Sequence, residues 1–316
     1  MVRTYTHRVS NSLTLVALLL LAPVSAAEEL RYEHANEFAA DDSLGAANHL
    51  TPEKALAASK LVRLGLSYAL GMVSSTEVPA WGERKFGVEA VGIPLTPDST
   101  VISAHDDRWA THVGIGTQID GLGHLGVDGM FYNGRQSRDF FRADGLTALS
   151  TADIPPIVSR GVLLDIASYR GKQRLAASEA IDLQTLQQAA KRQGVTIQRG
   201  DVVLLHTGWM SMMQENPEVF MAKQPGIDLG AARYLAQLGV VAVGSDTAAL
   251  EVQPSSVSNH PYPVHGLLLA NYGVYILENI VTRKLAEDKA YEFMFVLGQP
   301  RLKGSVQAII NPVAIR

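Results

Sequence analysis

The chain of 316 residues has no cysteine. Disulfides are therefore excluded, and any metal centre must draw on His, Asp, Glu or amide oxygen rather than thiolate. An excess of one charge is also missing. Lys and Arg number 27 against 31 Asp and Glu, for a formal charge of −4. Such a balance offers no electrostatic footprint for nucleic acid or an anionic lipid surface. There is no low-complexity tract, charge block or internal repeat, and neither a Gly-x-Ser-x-Gly elbow, a phosphate loop nor a dinucleotide fingerprint occurs. Long apolar runs are absent after the first thirty residues. Leu13 to Leu21 is the longest near the start, short of the roughly twenty residues a membrane span requires.

That run has informative flanks. Arg3, His7 and Arg8 precede it, and Pro23 and the small residues Val24-Ser25-Ala26-Ala27 follow. A basic start, an apolar stretch and a small-residue end describe a secretory signal peptide. Residues 1–27 are expected to be cleaved, leaving a secreted or periplasmic protein that begins near Glu28 and has no membrane attachment. Losing Arg3 and Arg8 would take the formal charge from −4 to about −6. Residues 28–316, about 290, suffice for one large domain with a real core, and no internal boundary divides them.

Thr51 can cap a helix with Pro52 at its first position, and Ala57, Leu61 and Leu64 recur at helical spacing before Gly65. Residues 73–100, with Pro79, Gly82, Gly87, Gly92 and Pro97, look like long connecting structure. After residue 155 strands and helices alternate. Gly161 to Asp165 is a short buried strand, followed by a helix capped by Asp182, with Leu183, Leu186 and Ala190 on one face and Gly194 as its stop. Strand Val202 to Leu205, a helix from Asp228 to Gly239 and strand Val240 to Val243 come next. This alternation implies an α/β domain with a partly parallel, mixed sheet.

The densest group of reactive side chains lies between His112 and His124. If residues 112–120 are extended, His112, Gly114, Gly116, Gln118 and Asp120 share a face. Gln118 and Asp120 would stand about 6–7 Å apart, close enough to reach one cation, while His112 would be about 20 Å from Gln118 unless the glycines bend the chain. Asp120 and His124, four apart across two glycines, could fold back on each other in a loop. Asp120-Gly121 is equally an ordinary turn signal, and the spacing alone leaves both readings open.

A wider pattern favours the site. Gly116-Thr117-Gln118-Ile119-Asp120-Gly121-Leu122-Gly123-His124 resembles the hallmark His-x-Gly-Thr-His-x-Asp-x-Pro-x-His of the cyclase family, which includes kynurenine formamidase-like and isatin hydrolase-like enzymes. Further segments are similar to the same family: Ala46 to Lys54, Arg160 to Asp165, Gly200 to Trp209, Gly244 to Thr247, His265 to Leu269 and Gly273 to Asn279. The likeness spans about residues 45–300. It implies a swivelling β/β/α fold in a single domain, a homo-oligomer, and hydrolysis of a small amide, imide or lactone. It also implies a divalent cation, Zn or Mn, that activates water and polarises the carbonyl. Carried over by position, Asp120, His265 and Glu278 are metal ligands, Gln118 stands where the family has its second ligand histidine, and His124 is the general base or acid. Gly114 replaces the first ligand histidine. Three outcomes stay open: His112 bulges into the site, one cation is held chiefly by Asp120, His265 and Glu278, or the site is metal-free. A secreted ligand-binding protein without turnover is the alternative to the enzyme. His206, Asp246, Trp209, Phe131 and Tyr132 are candidates to line a pocket, whereas Asp165 fits a structural role better.

Overall fold

The computed structural model describes Met1 and residues 29–93, 104–257 and 260–316. The signal-peptide expectation falls mainly on residues 2–28, outside the described residues. Nine strands form one sheet: β1 (Ser67–Ala69), β2 (Gln118–Asp120), β3 (Ile157–Asp165), β4 (Val202–His206), β5 (Ala242–Ser245), β6 (Tyr275–Glu278), β7 (Glu292–Leu297), β8 (Gln307–Ile309) and β9 (Val313–Ile315). Their order across the sheet is β1-β9-β7-β3-β4-β5-β6-β2-β8. The inner four, β3 to β6, are parallel. β2 and β8 extend one side of them antiparallel, and β7, β9 and β1 the other. The result is the mixed α/β architecture expected from the alternating pattern.

The inner strands are mostly apolar where they lie side by side, because both faces are covered there. Val162, Leu163, Leu164, Val202, Val203, Leu204, Leu205, Ala242, Val243, Ile276 and Leu277 are all fully buried. Helix α1 (Pro52–Ser59) precedes the sheet. Helices α2 (Leu183–Gln193) and α3 (Leu229–Gln237) connect β3 to β4 and β4 to β5. The side chain of Asp182 accepts from Thr185 N–H at 2.7 Å to start α2, and Gly194 ends it in the left-handed region. Asp228 does the same for α3 through Ala231 N–H at 2.8 Å.

Several expectations need correction. α1 stops at Ser59 instead of continuing to Leu64, which is exposed. Leu64 and Leu66 N–H groups donate to Arg316 C=O, and Arg316 N–H donates to Leu66, so pairing with the C-terminal strand overrides the helical spacing. Leu183 opens α2 exposed rather than joining its buried face, which is made by Thr185, Leu186, Ala189 and Ala190. The strand expected at Val240 to Val243 lies two residues later, at Ala242–Ser245, and Val241 N–H donates to Asp201 C=O just before it. Within 73–100, residues Val88–Ile93 form a strand paired antiparallel with Ala104–Trp109. Among the described residues no helix is long and apolar enough to cross a membrane.

Candidate metal centre

Strand β2 is entirely buried and places Gln118 and Asp120 on one face. The rest of the supposed strand 112–120 is irregular: Gly116 adopts φ +68°, a turn-forming conformation that glycine reaches freely. Thr117 Oγ1 then pins the loop, accepting from Met72 N–H at 2.9 Å and donating to Asn279 C=O at 2.5 Å.

Sheet register decides what faces β2. Glu278 of β6 lies opposite Gln118, and Gln307 of β8 lies opposite Asp120; directly opposed residues project to the same face. Gln118 Nε2 therefore donates to Glu278 Oε2 at 2.8 Å and to Asp120 Oδ1 at 3.2 Å, and Gln307 Nε2 donates to Asp120 Oδ1 at 2.7 Å. Two amides thus occupy one oxygen of each carboxylate. The other oxygens turn toward His265, whose Nε2 is 3.4 Å from Asp120 Oδ2 and 3.2 Å from Glu278 Oε1.

His265 comes from a short helix, Pro263–His265, that runs into a π-helical segment, Gly266–Tyr272. Such segments are rare and gather at functional sites. Its ring is oriented from behind by Glu251, a buried carboxylate. Glu251 Oε1 lies 2.5 Å from His265 Nδ1 and accepts His265 N–H at 3.1 Å, while Oε2 accepts Val264 N–H at 3.0 Å. A carboxylate behind a histidine fixes which nitrogen faces forward, an arrangement characteristic of metal-ligating imidazoles.

One ligand atom each from Asp120, His265 and Glu278 lies within 4.8 Å of the others. Among the described residues Asp120 Oδ2, fully buried, has no hydrogen-bond partner. A buried carboxylate oxygen without a donor is costly unless a cation completes it, and two carboxylates with one imidazole suit Zn or Mn. The donor set fits a divalent ion. The electrostatics point the same way. Burial works against a charged Asp120, but His124, His265 and the Gln307 amide outweigh it and bring its pKa to about 2. Burial and then the charge of Asp120 push Glu278 up to about 7. Burial disfavours a protonated His265, yet the neighbouring carboxylates of Asp120, Glu251 and Glu278 raise its pKa well above the ordinary imidazole value.

His124 follows a turn closed by its own N–H donating to Gly121 C=O at 3.0 Å. Its Nε2 is 4.0 Å from Asp120 Oδ2, and its side chain retains 20% exposure. Burial lowers its pKa, so the neutral ring is favoured. Gln118 presents its Nε2 donor, not its carbonyl oxygen, to both carboxylates. His112 is exposed and accepts Lys85 N–H at Nδ1, 2.9 Å away, and does not join the cluster. The space beside Gly114 is filled: a β-carbon there would lie 2.4 Å from Gln307 Oε1 and 2.8 Å from Arg84 Nη1.

Of the other candidates, Asp246 serves its turn, accepting Thr207 N–H at 2.9 Å, Thr207 Oγ1 at 2.5 Å and Gly208 N–H at 2.8 Å. His206 Nδ1 pairs with Thr282 Oγ1 at 2.8 Å. Asp165 caps the short helix Ile166–Tyr169 through Ser168 N–H. Trp209 is core, packed with Met213, Phe220 and Ala248, and Tyr132 is buried on Asp42. The aromatic side chains near the cluster are instead Tyr262, edge-on to His265 at 5.7 Å, and Trp81, edge-on to Tyr262 at 5.9 Å. Sequence reasoning missed Glu251, Gln307, Tyr262 and Trp81, whose roles come from register and packing that no local spacing marks.

Fold and site together define an α/β protein built around a buried acid–imidazole cluster suited to a cation. The family model described as putative cyclase matches residues 64–252, and the chain belongs to the cyclase family. None of the curated proteins compared matches its sequence. Among solved structures it is similar to a novel cyclase, with 26% identity and a TM-score of 0.83 over 90% of this chain and 100% of that one. Isatin hydrolase A from Ralstonia solanacearum shares 19% identity and a TM-score of 0.61, covering 84% and 98% of the two chains. A predicted metal-dependent hydrolase from Bacillus stearothermophilus shares 19% identity and a TM-score of 0.52, covering 79% and 97%.

Proposed function

We propose that this chain is a metal-dependent hydrolase of a small amide, imide or lactone, with Asp120, His265 and Glu278 holding one divalent cation, Zn or Mn. The observation that carries the proposal is the buried Asp120 Oδ2, aimed at His265 and without a hydrogen-bond donor among the described residues. When bound, the cation would supply Lewis acidity to polarise a carbonyl and to acidify water, three protein ligands leaving a position for either.

The chain's own residues provide the rest. Gln118 and Gln307 hold the carboxylates by their outer oxygens, which directs Asp120 Oδ2 and Glu278 Oε1 inward. Glu251 holds the His265 ring so that Nε2 faces the same point. His124, neutral at working pH and partly open to solvent, can take a proton at Nε2 and return it to a leaving group. Tyr262 and Trp81 border the cluster with apolar surface.

Paired substitutions test these roles. His124→Ala should lower the hydrolytic rate by about 10²–10⁴-fold, the usual worth of a positioned acid–base group, with cation content unchanged. Asp120→Ala should lose both cation and activity. Loss of the cation from His124→Ala would make His124 a ligand, and unchanged turnover would remove it from the chemistry.

A further inference from the structure

Arg84 brings a positive charge to this site that the hydrolytic scheme does not use. Its backbone N–H donates to Trp81 C=O at 3.3 Å, placing it on the turn that carries Trp81. Its Nη1 donates to Gly114 C=O at 2.8 Å, which holds the guanidinium over the residue that has no side chain. Nη1 and Gln307 Oε1 both approach the point where a Gly114 β-carbon would stand, and Gln307 is hydrogen-bonded to Asp120. Arg84 is thus separated from the cation ligands by one amide. The guanidinium is half-buried, and among the described residues no carboxylate lies within ion-pair distance of it. Its charge nonetheless reaches His124, Tyr262 and Glu278.

A guanidinium has five N–H donors in a planar fork matched to a carboxylate. Here one donor is spent on a backbone carbonyl, which fixes the fork beside the cluster. A half-buried cation next to a reaction site, held in place but not neutralised, is suited to receive an anionic group from the ligand. We propose that Arg84 binds a carboxylate of the substrate, so that the substrate class is a small amide, imide or lactone bearing a carboxylate, with its body against Trp81 and Tyr262. This assignment rests on the hydrolase proposed above and narrows its substrate.

Matched compounds test it: N-formylglycine against N-formylglycinamide, and hydantoin-5-acetate against hydantoin-5-acetamide. Binding is measured by calorimetry on Mn²⁺-loaded wild type, Arg84→Gln and Arg84→Lys, with metal content and melting temperature determined on the same samples. In at least one pair the wild type should prefer the acid by about 10–100-fold, the usual range for a charge-assisted contact. Arg84→Gln should reduce that preference to about twofold or less, Arg84→Lys should keep part of it, and metal content should be unchanged. For a pair that is turned over, the loss should appear in KM rather than kcat. A preference that survives Arg84→Gln, or no preference for the acid in either pair, overturns the role of Arg84. Failure of the wild type to bind Mn²⁺ or Zn²⁺ would instead overturn the hydrolase reading on which it stands.

Discussion

The chemistry of this molecule turns on how individual oxygens are distributed. Asp120 and Glu278 each give one oxygen to an amide and keep the other for the interior of the cluster. Glu251 stands behind His265 and is bonded to two backbone N–H groups as well as the ring. Replacing Glu251 with Gln places an amide N–H₂ against at least one of those donors and weakens the hold on the ring. Cation affinity should fall by about 10–100-fold, as for other carboxylates that orient ligand histidines, and calorimetric titration would show it. Unchanged affinity would mean the His265 ring is positioned without Glu251. Asp120, His124, His265 and Glu278 were legible in the sequence because each falls in an ordered motif. Glu251 and Gln307 were not, because Gln307 meets Asp120 only through strand register across 187 residues and Glu251 meets His265 only through a fold-back of the chain. Arg84 carries no motif at all.

At the scale of elements, legibility followed local chemistry. α2 and α3 begin at Asp182 and Asp228, whose side chains accept the N–H groups three residues on, and cap chemistry of this kind is written in a few adjacent residues. The end of α1 and the loop before β2 were misread for a common reason: both are decided by partners distant in sequence, Arg316 for Leu64 and Asn279 for Thr117. The Asp182 cap is testable by itself. Asp182→Ala should cost about 1 kcal/mol, seen as a lower thermal midpoint with cation affinity unchanged. The hydrogen bond from Thr185 holds the Asp182 carboxyl below its ordinary pKa. A depressed folded-state value means its stabilisation is present above the ordinary carboxylate range and lost as pH falls through the folded value. The gap between wild type and Asp182→Ala should accordingly narrow on acidification. A constant gap down to strongly acidic pH would show that the charge of Asp182 adds nothing.

For the whole molecule, the parallel inner strands form a rigid buried platform, and the antiparallel pair β2 and β8 closes against β6 to complete the site. Asp120 and Glu278, 158 residues apart, are joined through the single donor Gln118 Nε2. The π-helical segment sets His265 between them. Membership of the cyclase family gives the architecture, while inside this chain the amides of Gln118 and Gln307 hold Asp120 Oδ1, and Arg84 lies beyond Gln307 at Gly114. The most direct measurement is the metal content of the purified full-length protein, with hydrolysis of small amides, imides and lactones assayed before chelation, after it, and after Zn²⁺ or Mn²⁺ is restored. The account predicts one divalent ion per chain, activity lost with the ion and regained with it. A chain that binds no divalent ion, or that hydrolyses equally well after the ion is removed, would contradict it.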